Sequence, residues 1–233
     1  MAAMAEPLSV VCGAAGDLGR AVVAELVARG DRVIAVNRTA DPLGALVERH
    51  GDSVEPEVAD LTDPDVVQAL WERIAARGRP PSSVVNTVGG YRGGTVADTS
   101  PEDYRFLMEL NLTSTWLSCR RAAEAMREGG GSIVNVSART ALEGGAGSAA
   151  YAVAKAAVIR LTQILAAEAK GDGVRVNAIL PAVIDTEANR ASFPEQVMRK
   201  AVPAEAIARV VAFLCSDAAW PITGAAIPVP GRF

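Results

Sequence analysis

The chain has 233 residues, half of them hydrophobic, with 27 acidic and 23 basic side chains and a net charge of −4. That length suits one large domain with a full core, and the mildly acidic balance, without a basic run, argues against nucleic acid or anionic membranes as partners. A single histidine, His50, excludes a His-rich metal site, and the scattered Cys12, Cys119 and Cys215 form neither a ligand cluster nor a disulfide framework, as expected in a reducing cytoplasm.

Taken in chain order, residues 1–7 read as a flexible tail without the cationic and apolar regions of a secretory signal. Short β-branched runs then alternate with longer periodic segments. Strands are expected at 8–12, 32–36, 53–58, 84–87, 132–137, 174–179 and 226–229, and helices at 18–29, 43–50, 64–77, 101–127, 149–169 and 204–216. Asp63 and Ser100 stand as N-caps, Pro64 at a first helical position, His50 at a surface helix end, and Gly129-Gly130-Gly131 stops the longest helix. No run of 18 apolar residues predicts a membrane helix. The repeated β-α order predicts an α/β fold: one doubly wound domain over residues 8–233, with a parallel sheet covered by helices on both faces. The segments least like regular structure, 89–99, 138–148 and 182–203, all follow strands. Ligands in an open α/β sheet sit beyond the carboxyl ends of the strands, so these segments are the candidate site walls.

Between the first strand and first helix lies Cys12-Gly13-Ala14-Ala15-Gly16-Asp17-Leu18-Gly19. Glycines there permit a tight turn and close approach of backbone to a pyrophosphate, which the helix N-terminus attracts. Asp17 is expected to cap the helix, since a carboxylate facing a pyrophosphate is unfavourable. The second strand ends in Val36-Asn37-Arg38. A carboxylate there would accept from a ribose 2′-hydroxyl. Neutral Asn37 and cationic Arg38 suit a 2′-phosphate, so NADP(H) is preferred over NAD(H).

Tyr151 and Lys155 stand four residues apart on an expected helix, one turn apart on one face. A phenol ionises near pH 10, and a nearby ammonium favours phenolate. A shift of about three units needs roughly 4 kcal/mol, attainable only at a partly desolvated site.

These residues resemble the short-chain dehydrogenases/reductases. The glycine turn, Asp60-Leu61, Asn86-Thr87-Val88-Gly89, Asn111, Tyr151-x-x-x-Lys155 and Pro181-Ala182-Val183-Ile184-Asp185-Thr186 occur in that family's order and spacing, and Ile222-Thr223-Gly224-Ala225 with Pro228-Val229-Pro230-Gly231 is similar to its C-terminal segment. The resemblance implies a Rossmann sheet and hydride transfer between a nicotinamide cofactor and a small-molecule carbonyl or related double bond. It implies cofactor contacts from Gly13, Ala15, Asp17, Leu18 and Gly19 at the turn. Asp60 and Leu61 would hold adenine, and Asn86, Val88 and Gly89 would line the ribose side. Pro181, Ile184 and Thr186 would lie at the carboxamide, and Lys155 at the nicotinamide ribose. Asn111 would distort its helix and hold a water linking Lys155 to solvent, and Tyr151 would pass the proton, its pKa lowered by Lys155. It also implies a homo-oligomer, tetramer or dimer, built on the helices at 101–127 and 149–169.

Three departures stand out. The glycine usual at position 17 is Asp17. The usual Asn-Asn-Ala-Gly is Asn86-Thr87-Val88-Gly89. The family's catalytic serine, thirteen residues before the tyrosine, is Ala138, and neighbouring Ser137 points to the opposite face in a regular strand. Residues 137–145 and 180–190 are similar to the serine-less branch related to dihydropteridine reductase, which implies an active reductase. The alternative is a nucleotide-binding sensor or scaffold weakened by Ala138. A hydrolase is excluded by the absence of Gly-x-Ser-x-Gly and of a second histidine. Residues 187–202 would form a substrate lid, and the glycine-rich segment 89–94 a mobile facing loop whose Tyr91 could stack on a flat substrate.

Overall fold

Seven short apolar runs lie parallel in the computed structural model, which describes residues 6–232. The elements in order are β1 (Leu8–Cys12), α1 (Asp17–Ala28), β2 (Arg32–Asn37), α2 (Asp41–His50), β3 (Val54–Val58), α3 (Pro64–Ala75), β4 (Ser83–Asn86), α4 (Pro101–Met108), α5 (Ser114–Met126), β5 (Gly131–Val136), α6 (Ala149–Glu168), β6 (Val174–Pro181), β7 (Ile184–Asp185), α7 (Glu187–Ser192), α8 (Glu195–Met198), β8 (Val202–Pro203), α9 (Ala204–Leu214) and β9 (Ala226–Val229). The main sheet runs β3-β2-β1-β4-β5-β6-β9, every pair parallel. Strand order reverses between β1 and β4, and the crevice at their carboxyl ends is where such a sheet takes a ligand.

The period of two in the strands divides the core. Val11, Val33, Ala35, Val85, Val134 and Ile179 pack under α1, α2 and α9. Val10, Ile34, Val36, Val84, Ile133 and Val176 face α3, α5 and α6. Each fully buried side chain of this size contributes roughly 1.5–3 kcal/mol, so both helical layers are firmly held. Asp63 caps α3 through Asp65 and Val66 N–H, and Ser100 caps α4 through Asp103 N–H, as the sequence predicts.

The sheet's amino-terminal edge is tied by polar groups. Buried Asp31 accepts from Ser9 Oγ and from Arg29 Nε at 2.9 Å, while Arg29 Nη1 reaches the Ala212 carbonyl at 2.9 Å. Arg175 Nη1 and Ser132 Oγ both donate to the Leu214 carbonyl, at 2.8 and 2.9 Å, at the end of α9.

The helix expected at 101–127 divides at a π-helical turn over Glu109–Thr113 that contains Asn111, a distortion of the kind the resemblance implies. Residues 182–203 are not irregular: β7 pairs with β8 and encloses α7 and α8. Residues 149–172 are long and apolar enough on average to cross a membrane, although Lys155 and Arg160 interrupt every apolar run, and half of their 18-residue apolar stretch is buried, as in a core helix. Of the expected tail, residues 1–5 lie outside the described residues. Glu6 and Pro7 are tied down, their carbonyls accepting from Arg79 at 2.7 Å and from Arg32 N–H at 2.9 Å.

Candidate active site

The turn after β1 is shaped by two glycines. Gly13 sits at φ +84°, and its N–H donates to the Val36 carbonyl at 2.9 Å. A β-carbon on Gly19 would lie 2.1 Å from the Gly13 carbonyl oxygen, so only glycine lets α1 start this close beneath the turn. The N-cap of α1 is Gly16, with no side-chain cap, which corrects the capping role expected of Asp17. Asp17 is the first helical residue, and its carboxylate pairs with Arg20, whose Nη1 also holds the Ala15 carbonyl at 2.6 Å. Drawn onto Arg20, the carboxylate leaves the first-turn N–H groups available to an anion. Ala15 and Leu18 are buried, so they offer main chain. The cradle therefore fits a pyrophosphate.

Asn37 ends β2 and donates to the Thr39 carbonyl at 3.1 Å. Arg38 is exposed and makes no hydrogen bond or ion pair among the described residues. Asp60 accepts from Thr62 Oγ1 at 2.7 Å and Thr62 N–H at 2.9 Å. Those bonds, with the Arg38 charge nearby, hold its carboxyl below the usual range. Leu61 is buried beside it. Val88 packs on the glycine turn, its N 3.0 Å from where a Gly13 β-carbon would stand. Asn86 departs from expectation. Its side chain is buried and donates to Asn135 Oδ1 at 2.8 Å, so it joins β4 to β5 and leaves only main chain for a ribose.

At the carboxyl ends of β4 and β5, Tyr151, Lys155 and Asn111 converge. Lys155 is 3% exposed, its Nζ donating to the Val136 carbonyl at 2.9 Å and lying 5.9 Å from the Tyr151 ring centre. Fully buried Asn111 binds the Gly90 carbonyl at 3.0 Å and N–H at 3.2 Å, and the Leu107 carbonyl at 3.0 Å. A β-carbon at Gly89 would meet Asn111 Oδ1 at 2.8 Å and Lys155 Nζ at 3.0 Å, so glycine allows the two groups to meet there. Ser137 Oγ donates to the Lys155 carbonyl at 2.7 Å, turned away from any substrate, while Ala138 is extended and offers only a methyl group.

At the end of β6, Pro181 pairs with Val229. Ile184 packs against the core, and its carbonyl accepts from Asn189 Nδ2 at 2.8 Å. Thr186 caps α7 by accepting from Asn189 N–H at 3.1 Å, which leaves its hydroxyl proton to donate. Asp185 pairs with Arg190 through both oxygens.

The sequence profile of the family described as Enoyl-(Acyl carrier protein) reductase matches residues 13–231. D-Threitol dehydrogenase of Mycolicibacterium smegmatis is 31% identical over 97% of this chain and 92% of its own length. (3R)-3-Hydroxyacyl-CoA dehydrogenase of Rattus norvegicus is 34% identical over 96% and 95%. A solved short-chain type dehydrogenase/reductase from Mycobacterium ulcerans superposes with TM-score 0.91 at 30% identity, over 97% of this chain and 89% of that one. The chain belongs to the short-chain dehydrogenase/reductase family. It is an NAD(P)-dependent oxidoreductase.

Electrostatics of the enzyme's site depart from the expected phenolate. Burial pushes the Tyr151 phenol up to about 12, with Tyr91 adding to the rise, and pulls the Lys155 ammonium down to about 8. The expected lowering by Lys155 is thus reversed: desolvation outweighs an ammonium 5.9 Å from the ring and already bonded to a carbonyl. A phenol held protonated at neutral pH is suited to donate a proton.

Sequence reasoning also missed how the glycine-rich loop is fixed. Gly94 N–H donates to the Gly147 carbonyl at 2.9 Å, and Ala149 N–H to the Gly94 carbonyl at 3.0 Å. Arg92 pairs with Asp103 and lies 3.7 Å over the Phe106 ring. With Asn111 clamping Gly90, the loop is anchored at three points, and the mobility expected from its glycines is not available to the Tyr91 backbone.

Proposed function

We propose that the enzyme uses NADP(H) to reduce a carbonyl, or a related quinonoid double bond, of a small molecule, with Tyr151 giving the proton. The observation that carries this reading is a half-buried Tyr151 phenol one helical turn from buried Lys155, whose ammonium lies 5.9 Å from the ring and meets Asn111 at Gly89. Relatives named for D-threitol, for a 3-hydroxyacyl-CoA and for a 3-oxoacyl-[acyl-carrier-protein] support chemistry at an alcohol or carbonyl carbon.

Main-chain groups of Ala15, Asp17, Leu18 and Gly19 would hold the pyrophosphate, and Gly13, its N–H committed to the Val36 carbonyl, would shape the turn beneath it. Asn37 and Arg38 would hold the 2′-phosphate, Asp60 and Leu61 the adenine, and the main chain at Asn86, Val88 and Gly89 the adenosine ribose. Pro181, Ile184 and Thr186 would border the carboxamide, and Lys155 would donate to the nicotinamide ribose hydroxyls. The bound cofactor supplies a hydride. Tyr151 donates its hydroxyl proton to the substrate oxygen as negative charge develops there, a general-acid role. Asn111 holds the loop at Gly90, and its π turn keeps it beside Lys155. NADPH oxidation against ketones, quinones and a quinonoid dihydropterin tests the reading. Tight NADPH binding with no turnover of any panel member overturns it.

Arg38→Ala is expected to raise KM for NADPH about fivefold and leave KM for NADH unchanged, because an exposed ion pair contributes about 1 kcal/mol. An NADH preference in the unaltered enzyme contradicts the cofactor assignment. Exposed Trp116, Val153 and Ile164 on α5 and α6 support a homo-oligomer, tetramer or dimer, built on those helices. A monomer mass in solution rules it out.

A further inference from the structure

Ser148 stands at the N-cap of α6, where a serine hydroxyl ordinarily accepts from a first-turn N–H and contributes about 1 kcal/mol. It makes no such bond. Its Oγ lies instead 3.2 Å from the Tyr91 hydroxyl, which is itself 3.5 Å from the Gly147 carbonyl. The Tyr91 ring meets the Tyr151 ring edge to face, with centres 5.2 Å apart at 83°. Tyr91 is 56% exposed, so a ligand can reach it, and the three anchors described above fix its backbone. Ser148 and Tyr151 are three residues apart, and helical side chains lean towards the N-terminus. The phenol of Tyr151 therefore leans over the turn that Ser148 opens. A forgone helix cap beside a catalytic group is the kind of local conflict that marks a functional position.

We propose that the Tyr91–Ser148 hydroxyl pair contacts the substrate oxygen that Tyr151 protonates, and supplies the second hydrogen bond that Ala138 cannot. The pair keeps its own protons and acts by donation alone. This rests on the reductase reading above. Either hydroxyl can donate, so the loss of one is partly covered by the other, and the full effect of a missing donor, about 10²–10³ in rate, appears when both are gone.

The test uses the panel ketone that the unaltered enzyme reduces fastest. Tyr91→Phe and Ser148→Ala are each expected to lower kcat about threefold, and the double variant about 10²-fold, more than the product of the two, with the NADPH Kd, read by fluorescence, within about twofold. Adding Ala138→Ser to the double variant is expected to restore at least about tenfold in kcat, which a merely structural role would not allow. A double variant within about twofold of the unaltered kcat, or no recovery with Ala138→Ser, overturns the inference. If those variants are fully active while Tyr151→Phe is not, the inference fails and the reductase reading stands. Full activity in Tyr151→Phe places the proton donor elsewhere and overturns the inference, while the absence of turnover of every panel member removes the reading itself.

Discussion

Tyr151→Phe is expected to lower kcat for carbonyl reduction about 10³-fold while leaving the NADPH Kd within about twofold. General acids contribute roughly 10²–10⁴ in rate, and Phe keeps the ring that packs edge to face on Tyr91 while removing only the transferable proton. No hydroxyl stands ready to replace it from the segment after β5: Ser137 is committed to the Lys155 carbonyl and position 138 carries a methyl. The loss should appear in kcat and kcat/KM alike, the signature of an interaction made in the transition state. Steady-state kinetics with stopped-flow NADPH binding checks it. A variant within about tenfold of the unaltered kcat would place the proton donor elsewhere.

Binding of NADPH is expected to weaken as pH rises through about 8, because the Lys155 ammonium is pulled down to about 8 by burial. The sign follows from linkage. The charged amine is the better donor to ribose hydroxyls, so binding favours the protonated form and takes up a proton above pH 8. Below about pH 7 the site is already charged, and Kd is flat. Above pH 8 it rises, by up to about tenfold per unit. Titration calorimetry in buffers of different ionisation enthalpy reads the proton uptake directly. Lys155→Met should bind more weakly at pH 7 and lose the dependence. A Kd that stays constant from pH 7 to 9.5 would mean that Lys155 does not face the cofactor.

The sheet was legible because its strands are short, apolar runs between turn signals, and the turn after β1 because Gly13 and Gly19 meet backbone that no side chain could approach. Asn111 carried a usable signal through the family resemblance, and it lies in a π turn. What escaped depends on partners far apart in sequence. Asn86 is turned inward by Asn135, 49 residues away. The Tyr151 phenol is set by burial, which neither the residue spacing nor the lysine one turn on discloses. Asp17 was misread because Gly16 can occupy an N-cap too, and Arg20 competes for the carboxylate. Residues 182–203 looked irregular because strands of two residues and helices of four and six are too short to show a period.

The polar ties at the amino-terminal edge of the sheet have a consequence for how such a chain can diversify. Asp31, Arg29, Arg175 and Ser132 bind β1, β5, β6 and the end of α9 together at the end opposite Tyr151. The foundation is therefore separate from the workshop. Residues in the 89–94 loop or in α7 and α8 can be exchanged without disturbing those ties, so this scaffold can acquire a new substrate through loop replacement while its folding instructions stay unchanged.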